Sequence, residues 1–225
     1  MKTPTTILAI LGASALAFLA GRASIATLAP ADSGPTTGLA ARPAAGPAIR
    51  TAAFQPEDGA GVPPEMQAMF EAGLPAEQHE VLARFEGDWN ADMVMFTPDG
   101  GQLRSGATLR GVRMFDGRFM GQEMSGEFMG RPFEGFALYA YSRPTGEYQA
   151  IWFDSMSTHI FMSVGQYDPE KDMLVLHGQE PDAEGAVRAY RDEIEFTSDD
   201  EHVFTRYYAL PDGEFRGFQV TYTRE

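Results

Sequence analysis

Residues 118–154, RFMGQEMSGEFMGRPFEGFALYAYSRPTGEYQAIWFD, decide how this chain folds. Three runs rich in Phe, Tyr, Met and Ala are separated only by Met129-Gly130-Arg131 and Arg143-Pro144-Thr145-Gly146. Breaks this short reverse a strand onto its neighbour, whereas a parallel crossover needs about a dozen residues or more, so the three runs must pair antiparallel.

The same punctuation continues on both sides, at Pro98-Asp99-Gly100-Gly101, Asp116-Gly117, Asp168-Pro169-Glu170-Lys171, Pro181-Asp182-Ala183-Glu184-Gly185, Ser198-Asp199-Asp200 and Pro211-Asp212-Gly213. It predicts strands at 88–96, 103–115, 118–128, 132–142, 147–154, 158–167, 173–179, 186–196, 202–209 and 215–223. The fold class is all-β. Ten sequential antiparallel strands expose two sheet edges unless the sheet closes, so the expected architecture is an up-and-down barrel of about ten strands. A two-sheet sandwich would need longer crossing connections than these turns provide. Before the first strand, Glu65–Ala72 and Ala76–Phe85 read as short helices. Pro64 and Pro75 stand where a first helical turn tolerates proline, and Val81, Leu82 and Phe85 supply an apolar stripe.

Upstream the composition changes. Met1-Lys2 is followed by the uncharged run Ile7–Ala20 and by small residues at Gly21 and Ala23, the pattern of a secretory signal over 1–23. The run falls short of the roughly 20 apolar residues of a comfortable span, which makes cleavage the expectation and an uncleaved N-terminal anchor the alternative. Residues 24–64 are rich in Ala, Pro, Gly and Thr without a periodic apolar face, and read as a disordered linker. The barrel domain is expected over 65–225, in a protein exported to the periplasm or beyond.

The 225 residues contain no cysteine, which excludes disulfides, thiolate-bound metals, cysteine nucleophiles and a lipidated cysteine anchor. With 32 acidic and 17 basic side chains the formal charge is −15, so nucleic acid and anionic membrane surfaces are not expected partners. The pairs Asp192-Glu193 and Asp199-Asp200-Glu201 read as solvated turn and outer-face groups.

The densest polar cluster is Trp152-x-Asp154-Ser155-x-Ser157-x-His159, read as a strand end, a tight turn and the next strand. Period-2 alternation puts Trp152 and Asp154 on one face and His159 and Phe161 on one face. Should both faces point inward, a carboxylate and an imidazole meet in an apolar lumen, where they could orient a ligand or exchange a proton. The plainer reading is that Asp154, Ser155 and Ser157 satisfy backbone groups at the turn. No G-x-S-x-G elbow, H-x-H or H-E-x-x-H occurs, so no catalytic residue and no metal ligand is assigned. Met120, Met124 and Met156 belong to a group of methionines that would make an adaptable apolar pocket or simply fill a core. Small residues at Gly121, Ser125, Gly135, Ala137, Ala150, Ser163 and Gly165 are expected to leave room in the centre.

Taken in order, His79-Glu80-x-Leu82, Gly87-x-Trp89, Phe115-Asp116-Gly117-Arg118-Phe119, Gly130-Arg131-Pro132-Phe133-Glu134-Gly135, Trp152-Phe153-Asp154-Ser155-Met156-Ser157-Thr158 and Thr221-Tyr222-Thr223-Arg224 resemble the bacterial domain-of-unknown-function family 1579. The resemblance spans about 150 residues and implies a lipocalin-like, calycin-type barrel with nitrobindin-like layout. It implies no catalytic role. It also implies that Trp89 of the G-x-W closes the barrel with Arg224 stacked on its indole. Nitrobindin-like barrels hold haem through one axial histidine, so haem stands as a minor alternative to a barrel without cofactor. The expected ligand is a small apolar or amphipathic molecule held by Trp152, Asp154, Met156, His159, Phe161, Met120 and Met124. The rival readings are an enzyme using Asp154 and His159, and a module that binds another protein through its outer surface.

Overall fold

Each strand hydrogen-bonds to the strands before and after it, and the last returns to the first. A computed structural model describes residues 62–182 and 184–225, so the expected signal at 1–23 and nearly all of the 24–64 segment lie outside the described residues. Two short helices, α1 (Pro64–Ala72) and α2 (His79–Ala83), lead into β1 (Gly87–Phe96), β2 (Gln102–Met114), β3 (Phe119–Phe128), β4 (Arg131–Ser142) and β5 (Glu147–Asp154). The second half comprises β6 (Phe161–Asp168), β7 (Met173–Pro181), β8 (Val187–Ser198), β9 (Glu201–Leu210) and β10 (Gly213–Arg224). All neighbours are antiparallel, and β1 pairs with β10 from Trp89↔Arg224 to Met95↔Phe218, which leaves no edge to cap.

Two expected elements are shorter than their residues suggested. The helix read at Ala76–Phe85 is regular only over His79–Ala83, because its ends tighten into bonds three residues apart, from the His79 amide to the Ala76 carbonyl and from Phe85 to Leu82. The sixth strand begins at Phe161 and not at 158. Residues 155–160 form a loop in which side chains take over from the ladder. Asp154 accepts the Met156 amide at 2.9 Å, Ser157 accepts the His159 amide at 3.0 Å, and Ser155 accepts the Glu134 amide at 3.1 Å.

Alternation sorts the core. The inward positions on β7 and β8 include Leu174, Leu176, Ile194 and Phe196, which pack with Leu82 and Phe85 of the α2 region. A second cluster joins Trp89, Ala91, Leu109, Met124, Val220 and Tyr222. On β3 the inward set is Met120, Gln122 and Met124, all buried. Gly121 and Ser125 therefore face outward, contrary to the expectation that they open the centre, and Gly121 lies beneath Met114 and Phe136 on the outer surface.

The α2 end is sealed. The Trp89 indole is 1% exposed, donates to the Phe85 carbonyl at 3.2 Å, and carries the Arg224 guanidinium 4.1 Å above its ring. Arg224 also donates to the carbonyls of Glu86 at 2.8 Å and Asp199 at 3.0 Å, tying the last strand to the entry of the first. Gly87 of the G-x-W adopts φ +112°, and a Cβ there would sit 2.7 Å from the Arg224 guanidinium, so both backbone and space call for glycine. His202 completes the seal, stacked on Tyr222 at 4.6 Å and edge-on to Trp89 at 4.6 Å.

Candidate functional site

Strand direction places Met95, Phe128, Asp154, Phe161, Glu180 and Tyr208 toward the end opposite the Trp89 seal. From that end a cavity of about 170 Å³ enters the barrel, lined chiefly by Met93, Met95, Met124, Phe133, Trp152 and Phe218. The room comes from small inward residues. Ala137 and Ala150 line the cavity, and Gly135 gives its side-chain space to Trp152, whose ring would lie 2.3 Å from a Cβ at that position. Ten strands make the ring wide enough for these small residues to leave a void instead of a packed layer.

One wall of the cavity is charged. Asp192 on β8 and Arg206 on β9 are direct cross-strand partners. The guanidinium grips the carboxylate with both edges, Nε to Oδ1 at 2.7 Å and Nη2 to Oδ2 at 2.9 Å. Its Nη1 donates to Glu180 of β7 at 3.2 Å. All three are buried, with relative exposures of 7% for Arg206, 2% for Asp192 and 3% for Glu180. The Tyr190 ring lies 3.9 Å from the guanidinium carbon, a cation–π contact away from water. Burial opposes the charged form of Arg206, yet the adjoining Asp192 carboxylate holds its pKa well above the ordinary value. Burial raises Glu180 above the ordinary carboxylate range, against the opposing pull of Arg206. Burial likewise pushes the Tyr190 phenol up to about 12. Its hydroxyl donates to the Met162 carbonyl at 3.0 Å, across Gly178, where a Cβ would strike the ring at 2.3 Å.

Gln122 lines the same cavity from β3. It is 4% exposed, and its buried Nε2 has no hydrogen-bond partner among the described residues. A buried amide without partners loses its hydration uncompensated, so it is a position where a bound molecule would gain most.

The residues singled out from sequence divide into those at the mouth and those elsewhere. Trp152, Asp154, Met156, Phe161 and Met124 all line the cavity. Trp152 stacks on Phe133 at 6.3 Å and donates its indole N–H to Asp154 Oδ2 at 2.8 Å. With Oδ1 bonded to the Met156 amide, Asp154 is engaged through both oxygens by neutral donors. Met120 lies deeper, packed with Leu82 and Phe85, and does not line the cavity. His159 sits on the 155–160 loop edge-on to Phe161 at 5.0 Å, outside the cavity lining, and makes no hydrogen bond to Asp154. The inward-facing carboxylate–imidazole pair is therefore not formed, because the loop carries the imidazole off the strand that would have aimed it. Among the described residues no histidine lines the lumen, so its lining does not fit an axially ligated haem.

Asp192, Arg206, Glu180 and Gln122 are not among the residues that the sequence singles out, and Asp192 lies inside the barrel and not on the solvated outer face expected of the Asp192-Glu193 pair. The signal was present in the alternation. Asp192 has the parity of Tyr190, Ile194 and Phe196, and Arg206 that of Phe204 and Tyr208, so each charge sits on the apolar face of its strand. Such a placement is tolerable only when the charges meet one another.

Among solved structures, the fold is similar to that of Rv2717c from M. tuberculosis, with a TM-score of 0.50 and 15% sequence identity, covering 67% of this chain and 98% of that one. The S-type phycobiliprotein lyase CPES from Guillardia theta aligns with a TM-score of 0.47 and 12% identity, covering 69% and 96%. No curated protein matches the sequence. Residues 74–224 match the family described as "Protein of unknown function (DUF1579)", and the chain belongs to that family.

Proposed function

We propose that this member of the family is an exported binding protein that holds a small apolar or amphipathic molecule in the lumen of its barrel. One observation carries the reading: the barrel encloses a cavity of about 170 Å³ whose wall is mostly apolar and rich in Met and aromatic side chains, with the Nε2 of Gln122 left unpaired in it among the described residues. Apolar walls with a few fixed polar groups are the usual composition of a small-molecule site. Methionines adapt to ligands of differing outline, which suits a carrier or sensor better than an enzyme of narrow specificity. The uncharged Ile7–Ala20 run behind Lys2 supports export.

The test is equilibrium binding of N-phenyl-1-naphthylamine, a neutral probe that fluoresces in apolar surroundings. The native barrel is expected to bind it saturably and the heat-denatured chain is not. Trp152→Ala removes the aromatic wall at the mouth and should weaken binding about tenfold, the equivalent of about 1.4 kcal/mol. Equal probe response from native and denatured protein refutes the reading. Export is checked by N-terminal sequencing of protein recovered outside the cytoplasm, where a start near Ser24 is expected and an intact Met1 in the membrane fraction would point to an anchor.

A further inference from the structure

Charge in the lumen is unbalanced. Asp154, Glu180 and Asp192 line the cavity together with Glu127 at its rim, against the single guanidinium of Arg206. Asp192 takes two of the Arg206 donors and so uses most of that charge. Glu180 receives one longer bond from Arg206 beside the neutral Tyr208 hydroxyl, and Asp154 has only the neutral N–H groups of Trp152 and Met156, with no ion pair among the described residues. Among the described residues that line the cavity, an anionic head group would face carboxylates and no cation beyond the already paired Arg206. A cation would be attracted by them, and the faces of Trp152, Phe133, Phe161 and Tyr208 that line the same cavity add the ring quadrupoles that favour cations.

Gln122 is an independent sign of what is held. Its Nε2 has no partner among the described residues, so no bond to that atom fixes the terminal torsion, and turning it presents either the carbonyl or the amino group to the cavity. As an acceptor it suits a donor that still carries N–H groups. We infer that the lumen selects amphipathic cations, protonated primary or secondary amines with an apolar tail, the ammonium lying between Glu180 and the carbonyl of Gln122 and the tail among the methionines. The inference rests on the lumen-binding reading above and names the ligand class for it.

Decylamine, decanol and decanoate share one tail and differ only in charge. Each is titrated, below its aggregation concentration and at low ionic strength, against the barrel loaded with N-phenyl-1-naphthylamine. The ammonium compound should displace the probe at a concentration at least tenfold below that of decanoate, with decanol between them. Glu180→Gln keeps the shape of the side chain and removes its charge, so the ratio should narrow by severalfold. Asp154→Asn, at the more open mouth, gives the same readout should the Glu180 variant fail to fold. Raising the salt concentration should compress the ratio as well. Equal displacement by all three compounds, or tighter binding of decanoate, overturns the cation inference while leaving lumen binding intact. A barrel that takes up neither the probe nor any of the three compounds overturns both.

Discussion

His202 makes the stability of this barrel depend on pH in a direction and over a range that can be worked out. The imidazole is 2% exposed at the sealed end, surrounded by the rings of Phe85, Trp89 and Tyr222, and its Nδ1 has no hydrogen-bond partner among the described residues. Burial first, and then the positive charges of Arg224 and Arg84, push its pKa down from 6.5 to about 3. The folded state therefore keeps His202 neutral at pH values where the unfolded chain has already bound a proton. Below about 6.5 the unfolded state holds more protons, so stability is complete above that pH and falls as the pH drops towards 3. The slope is about 1.4 kcal/mol per pH unit, or about 2 kcal/mol lost by pH 5, which is a large share of a typical domain's stability. The assay is urea unfolding followed by Trp fluorescence from pH 8 to 4.5, for wild type and for His202→Phe. Phenylalanine suits the aromatic surroundings and does not titrate. Carboxylates, including the raised Glu180, contribute equally to both proteins and cancel in the difference. The stability gap between wild type and variant should shift against the wild type by about 2 kcal/mol between pH 8 and pH 5. Parallel curves over that range would refute the assignment of a neutral, uncompensated imidazole.

Two further perturbations address the charges that hold the barrel. Arg224→Ala removes the cation over Trp89 and the bonds to Glu86 and Asp199, and should cost about 1–2 kcal/mol in denaturant unfolding, with Trp89 emission moving to longer wavelength. Arg206→Met strands Asp192 and Glu180 inside the barrel, for an expected loss of roughly 3–5 kcal/mol. Replacing Arg206 and Asp192 together by Met and Leu should cost markedly less than the single change, which a double-mutant cycle measures directly.

The closure of the sheet was legible in the chain because the decisive signal is local. Short breaks such as Met129-Gly130-Arg131 and Arg143-Pro144-Thr145-Gly146 permit only antiparallel neighbours, and repeated through the chain they lead to ten strands and a barrel. Period-2 alternation reaches further still, since it places Asp192 beside Tyr190 and Ile194 on the inward face. What alternation cannot supply is the partner. Asp192 is inside because β9 brings Arg206 opposite it, and that register is a property of the closed sheet. The 155–160 loop shows the converse. Asp154, Ser155 and Ser157 were readable as turn formers, but the competition between their side chains and the ladder, which takes His159 off the strand, is settled only once Glu134 of β4 is in place to donate to Ser155. The lumen itself is a tertiary quantity. Ala137 and Ala150 are small wherever they stand, and become empty volume only because ten strands hold the opposite wall out of reach.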